Sequence, residues 1–126
     1  TCAALPAYAA ESFPTKPIRF IVPFPPGGGS DAFARIVTAK IMEDWGQQFV
    51  IDNRGGAQGS LGTAIAATAN ADGYTLVIAE IGATAVAPAL ISKLSFNVAR
   101  DFAGISQLIE QPVDSLRIND FDANVS

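Results

Sequence analysis

The sequence predicts an α/β fold: a mainly parallel sheet flanked by helices. Short β-rich runs alternate with helix-period segments in the order β-α-β-α-β-α-β. Three glycine-rich or small-residue links fall at the same end of successive predicted strands. The chain has 126 residues, of which 49% are hydrophobic, enough for one core and too apolar for wholesale disorder.

"IRFIVPF" (18–24) follows the Pro17 breaker and predicts the first strand. From Ser30 to Trp45, apolar residues at Phe33, Ile36, Val37, Ile41 and Trp45 recur near helical spacing. Ser30 is placed to cap that helix and Gly46 to stop it. "QFVIDN" (48–53) predicts the second strand, and "SLGTAIAATANA" (60–71) a small-residue helix that ends before the Asp72-Gly73 turn. "YTLVIAE" (74–80) is almost wholly apolar and predicts a third strand buried on both faces. "IGATAVAPALISKL" (81–94) predicts a link and a short helix interrupted by Pro88, and "FAGISQLI" (102–109) a fourth strand.

Composition excludes several functions. Net charge is −4 with no basic run, which argues against a nucleic-acid partner. With no His and one Cys, the chain lacks the usual Cys/His zinc sets and any His-based catalytic group. "TCAALPAYAAESFPTKP" carries an Ala7-Tyr8-Ala9 pattern of the kind found at leader cleavage sites. Residues 1–12 read as a partial signal peptide that includes Cys2, with a flexible Ala-rich terminus as the alternative. A polar tail (113–126) with five turn-prone Asp or Asn residues reads as weakly structured.

In an open parallel sheet, ligands bind beyond the carboxyl ends of the strands. The links at 25–30, 54–60 and 81–84 all lie there. Helix N-termini carry unpaired N–H groups and partial positive charge, and glycine lets an anion approach them. "PPGGGSD" and "GGAQGSLGT" both place glycines at helix starts, with hydroxyls from Ser30, Ser60, Thr63 and Thr84 nearby. A carboxylate or phosphate would suit such a mouth; plain loop geometry is the alternative, and stands at even weight for the second cluster. Asp31 can pair with Arg35 along the helix or receive a ligand amine. Arg54 can attract a carboxylate or remain a solvated loop residue.

A nucleotide reading competes. Gly27, Gly29 and Ala32 satisfy G-x-G-x-x-A between a strand and a helix, and Asp52 stands where a ribose-binding acid belongs. It would make the chain a dinucleotide-binding, Rossmann-like oxidoreductase domain. The Pro25-Pro26 pair and the leader-like start argue against it. Asp52, Glu80 and Asp101 are scattered carboxylates that read as caps and solvated ends rather than catalytic groups.

"FPTKPIRFIVPFPPGGGSDAFAR", "GQQFVIDNRGGAQGSLGT", "ADGYTLVIA" and "ARDFAGIS" follow one another in an order that resembles the Bug-type periplasmic receptors of tripartite tricarboxylate transporters. The resemblance covers residues 13–112. It implies the N-terminal part of the first lobe of a periplasmic-binding-protein (Venus flytrap) fold. It also implies capture of a small carboxylate (a di- or tricarboxylate, acidic amino acid or aromatic acid) for delivery to membrane permease subunits, with no cofactor and no catalysed reaction. The loop matching the family's carboxylate site runs from Phe24 through Pro26, Gly27, Gly28, Gly29 and Ser30 to Asp31. The second matching site is Gly59, Ser60 and Thr63, and the third Gly82, Ala83 and Thr84. The family carries Pro where this chain has Gly55, which implies a looser second loop. Family members are much longer, so the expectation is a truncated receptor whose sheet leaves an edge or face uncovered.

Overall fold

The computed structural model describes residues 13–108. The segments read as a leader (1–12) and as a polar tail (113–126) lie outside them. The chain forms β1 (Ile18–Val22), α1 (Gly29–Trp45), β2 (Phe49–Asn53), a 3-10 turn (Ala57–Gly59) and α2 (Ser60–Ala67). Then come β3 (Thr75–Val77), a π turn (Gly82–Val86), α3 (Ala87–Leu90) and α4 (Val98–Asp101).

The three strands are all parallel, in the order β2-β1-β3. Ile18 pairs with Phe49 and Val22 with Asn53 on one side; Arg19 pairs with Thr75 and Ile21 with Val77 on the other. Parallel strands need crossover connections, and right-handed crossovers that run in opposite directions across the sheet, β1 to β2 and then β2 back to β3, put their helices on opposite faces. Phe20 and Val22 form a core with Ala34 of α1, joined by Phe24, Phe49, Ile51, Leu76 and Ile78. Ile21 points to the other face by the two-residue alternation of a strand, and is fully buried.

β1 ends at Val22, two residues before the predicted limit. Pro23 has no N–H to continue a ladder, so the final bond on that side is Arg54 N–H to the Val22 carbonyl at 2.8 Å. α1 stops where predicted: Gly46 takes a left-handed conformation, φ 67°, and donates to the Met42 carbonyl at 3.0 Å. α2 ends at Ala67 rather than 71. The Asp72-Gly73 turn forms as expected, with Gly73 at φ 81° and Tyr74 N–H donating to Asp72 Oδ1 at 3.0 Å.

Two strand expectations are corrected. β3 is three residues long and half-buried, because among the described residues it packs on β1 along one edge only. Residues 102–108 form no strand: a β-rich segment becomes one only where a neighbour's N–H and C=O groups receive it.

Candidate functional site

The order β2-β1-β3 reverses direction at β1. The chain leaves β1 toward β2 and later returns across it to β3, so successive connections diverge over the β1/β3 boundary. The three predicted links converge at that carboxyl edge.

The first link is held by Asp31, 4% exposed. Its Oδ2 accepts from Gly27 N–H and from Arg35 Nε, both at 3.0 Å, and its Oδ1 accepts from Asn53 Nδ2 at 3.0 Å. Asn53 Nδ2 also donates to the Phe24 carbonyl at 3.2 Å. The Arg35 hydrogen bond, followed by those of Gly27 and Asn53, lowers the Asp31 pKa to about 2. Asp31 in turn raises that of Arg35. Asp31 is therefore the latch of the glycine loop, with three of its acceptor positions used inside the fold. Asn53 was invisible as a functional residue in the sequence. An Asn that ends a strand beside a glycine-rich turn is the only signal it gives.

Ser30 is not the helix cap. Gly27 is left-handed, φ 85°, and α1 begins at Gly29 with Gly28 as its extended N-cap. Ser30 sits inside the first turn, and its hydroxyl donates to the side chain of Glu80, three residues past the end of β3. The N–H groups of Gly29, Ser30 and Asp31 have no acceptor within the helix; the first intrahelical bond is Ala32 N–H to the Gly28 carbonyl, 3.0 Å.

The second link is left-handed over four successive residues: Gly56 (φ 137°), Ala57 (48°), Gln58 (54°) and Gly59 (89°). Ala57 and Gln58 are strained there, since a Cβ crowds the following carbonyl. The turn delivers Gly59 into a tight junction. A Cβ at Gly59 would lie 3.4 Å from Ala83 Cβ and 3.4 Å from Phe24 Cζ, so one glycine touches both other links. Thr63 Oγ1 donates to the Gly59 carbonyl at 2.9 Å. Ser60, the first residue of α2, is 7% exposed, and its hydroxyl is buried without a hydrogen-bond partner among the described residues. Gly55 lies against the Pro25 ring: an added Cβ would come within 3.0 Å of its Cδ.

In the third link, the Glu80 carbonyl accepts from Thr84 N–H at 3.0 Å and from Thr84 Oγ1 at 2.7 Å. Ala83 is fully buried. Thr63 and Thr84 thus spend their hydroxyl protons on carbonyls four residues back, while Ser60 does not. A cleft of about 350 Å³ opens behind this link, lined by Pro88, Ile91, Leu94, Phe96 and Val98; of the predicted site residues it touches only Thr84.

Asp52 is not placed for a ribose. Its Oδ2 accepts from Arg19 Nε at 2.9 Å and its Oδ1 from Arg54 Nε at 2.7 Å. Burial pushes the Asp52 carboxyl up, and the Arg19 and Arg54 hydrogen bonds together outweigh it, so its pKa is lowered. Arg54 is accordingly tied to Asp52. Asp101 does act as a cap: Asn97 N–H donates to its Oδ2 at 2.7 Å.

The sequence profile for the family described as "Tripartite tricarboxylate transporter family receptor" matches residues 33–125. Protein BugT of Bordetella pertussis is 35% identical over 124 residues, covering 94% of this chain and 38% of BugT. Among solved structures, one described as a periplasmic transporter is 46% identical with a TM-score of 0.66, covering 68% of this chain and 29% of its own. MatC from Rhodopseudomonas palustris with bound malate is 38% identical at a TM-score of 0.63, covering 68% and 29%. A second R. palustris protein, solved with adipate, is 43% identical at 0.54, covering 56% and 23%. The chain spans about a third of the length of the curated relatives it matches. The reading drawn from the ordered motifs therefore holds at the level of lineage: this chain belongs to the receptor family of the tripartite tricarboxylate transporters.

Proposed function

We propose that the chain forms one wall of a periplasmic receptor that captures a small carboxylate and hands it to membrane permease subunits. The wall runs from Phe24 to Asp31, across Gly59, Ser60 and Thr63, to Gly82, Ala83 and Thr84. The observation that carries the reading is the Ser60 hydroxyl, buried and unpartnered at the start of a helix where two other links meet. Leaving a buried hydroxyl unpaired costs about 1–3 kcal/mol, a cost that a ligand oxygen at that position removes. One carboxylate oxygen would accept from Ser60 and the other from the unpaired first-turn N–H groups of α1. Asp31 keeps the loop in shape, and the Thr63 and Thr84 hydroxyls fix the backbone of the other two links. The malate and adipate of the solved relatives support the ligand class.

The test is an amide-resolved NMR titration with succinate on the wild-type chain and on Ser60→Ala. Succinate is expected to move amides at 27–31 and 59–63. Loss of one hydrogen bond to a charged group, about 1.5 kcal/mol, weakens Ser60→Ala roughly tenfold. The same variant should unfold at higher temperature than wild type, because it no longer buries an unpaired hydroxyl. If succinate, malate and adipate all leave those amides unmoved, the receptor reading of this wall is wrong. NADH is expected to move none of them.

A further inference from the structure

Glu80 is the carboxylate that the mouth leaves unbalanced. It is half-buried three residues past the end of β3, and one of its oxygens accepts from the Ser30 hydroxyl. Among the described residues no Lys or Arg forms an ion pair with it, whereas Asp31 and Asp52 at the same edge both have arginine partners. It stands beside the N–H groups that a ligand carboxylate would use, so it bears on any anion that enters. A plain carboxylate set there would face a like charge in partly desolvated surroundings. It would also find the Ser30 proton already committed to Glu80. A ligand with an ammonium next to its carboxylate meets the opposite situation. The ammonium pairs with Glu80, and the carboxylate takes the α1 N–H groups and the unpartnered Ser60 hydroxyl. Ser30 carries both a first-turn N–H that can donate to an anion and the hydroxyl that touches Glu80, so the two sub-sites border the same residue. An α-amino acid, whose ammonium and carboxylate are separated by one carbon, suits that adjacency.

We infer that Glu80 sets the specificity of this wall, favouring amino-substituted carboxylic acids over unsubstituted ones. The inference rests on the receptor reading above. Its test uses succinate, malate and aspartate, which differ at one carbon by H, OH or ammonium. Each is titrated by NMR against the wild-type chain, Glu80→Gln and Glu80→Asp. Gln keeps an acceptor for Ser30 and removes the charge, so the fold contact survives; thermal unfolding of each variant verifies that. The expected order for wild type is aspartate, then malate, then succinate, with aspartate about tenfold tighter than succinate. Glu80→Gln should erase or invert that order, and Glu80→Asp should retain it. Binding with the same order in wild type and Glu80→Gln overturns the role of Glu80 and leaves the receptor reading standing. Absence of binding by all three acids to every variant overturns both.

Discussion

Gly62 is the residue whose replacement can be worked through most fully. It lies inside α2, where alanine would ordinarily add about 1 kcal/mol of helix stability. An added Cβ, however, would lie 2.7 Å from the Arg54 carbonyl oxygen, 2.8 Å from Pro23 Cα and 2.8 Å from Pro23 Cβ. Those contacts are roughly 0.6–0.7 Å inside the 3.4 Å at which ordinary contact begins. Two of the three atoms are backbone at the carboxyl ends of β1 and β2, so no side chain can swing clear. Overpacking of this kind costs about 3 kcal/mol at its upper range, leaving Gly62→Ala destabilised by about 2 kcal/mol after the helix gain. With a urea dependence of about 1 kcal/mol per molar, the unfolding midpoint should fall by about 2 M. Gly29→Ala is the matched control. It is also helical, but nothing lies within 4 Å of its added Cβ. Removing a glycine from the unfolded ensemble should raise the midpoint by about 0.5 M there. Far-ultraviolet circular dichroism reads both, with the single Trp45 as a fluorescence check. Equal shifts for the two variants, or a stabilised Gly62→Ala, would show that the docking of α2 on the β1 end is not as close as these distances state.

Other perturbations have equally definite outcomes. Asp31 titrates in the folded chain at about 2, below its usual 3.8. Its contribution to stability is therefore complete above about pH 4 and is lost as pH falls through 2, where the unfolded state binds the extra proton. Melting temperatures taken from pH 5 to pH 2 should drop steeply for wild type and less so for Asp31→Asn; parallel curves would remove Asp31 as the acid-sensitive latch. Gln58→Gly should stabilise by about 0.5 kcal/mol, the relief of a left-handed side chain less the extra freedom glycine gains when unfolded. A urea midpoint that falls would show that Gln58 makes contacts outweighing its strain.

The parts of the fold that depend on local rules were legible. Gly46 stops α1 because a left-handed residue after a helix is cheapest as glycine, and the Asp72-Gly73 turn follows from asparagine-like chemistry that needs no tertiary partner. Gly27, Gly59 and Ser60 were singled out for the place of their links along the chain, and the structure brings those links together. What failed depends on register. Ser30 looked like a cap because it precedes a helical period, but the left-handed Gly27 starts the helix earlier and turns its hydroxyl over to Glu80. Glu80 looked like a solvated strand end because nothing in a linear reading places it level with the β1 link. Pairing of Val77 with Ile21 does so. The segment at 102–108 has strand-like composition and lacks a strand-like setting, since composition can propose a ladder and only a neighbouring edge can complete it.

The central place of β1 has a consequence for the order in which the molecule can assemble. β1 is made before either of its neighbours, yet both of its edges belong to later segments. Closing Ile18 onto Phe49 spans about 30 residues, and closing Arg19 onto Thr75 about 55. The longer closure adds little free energy, because doubling a loop costs only about 0.6 kcal/mol, but such non-local pairings are slow to find. The central strand of the sheet can therefore fill its β2 edge once residue 53 has been made, and its other edge stays open until residue 77. Until both neighbours are in place, the same five residues are the stretch of the sheet most open to pairing with another copy of the chain.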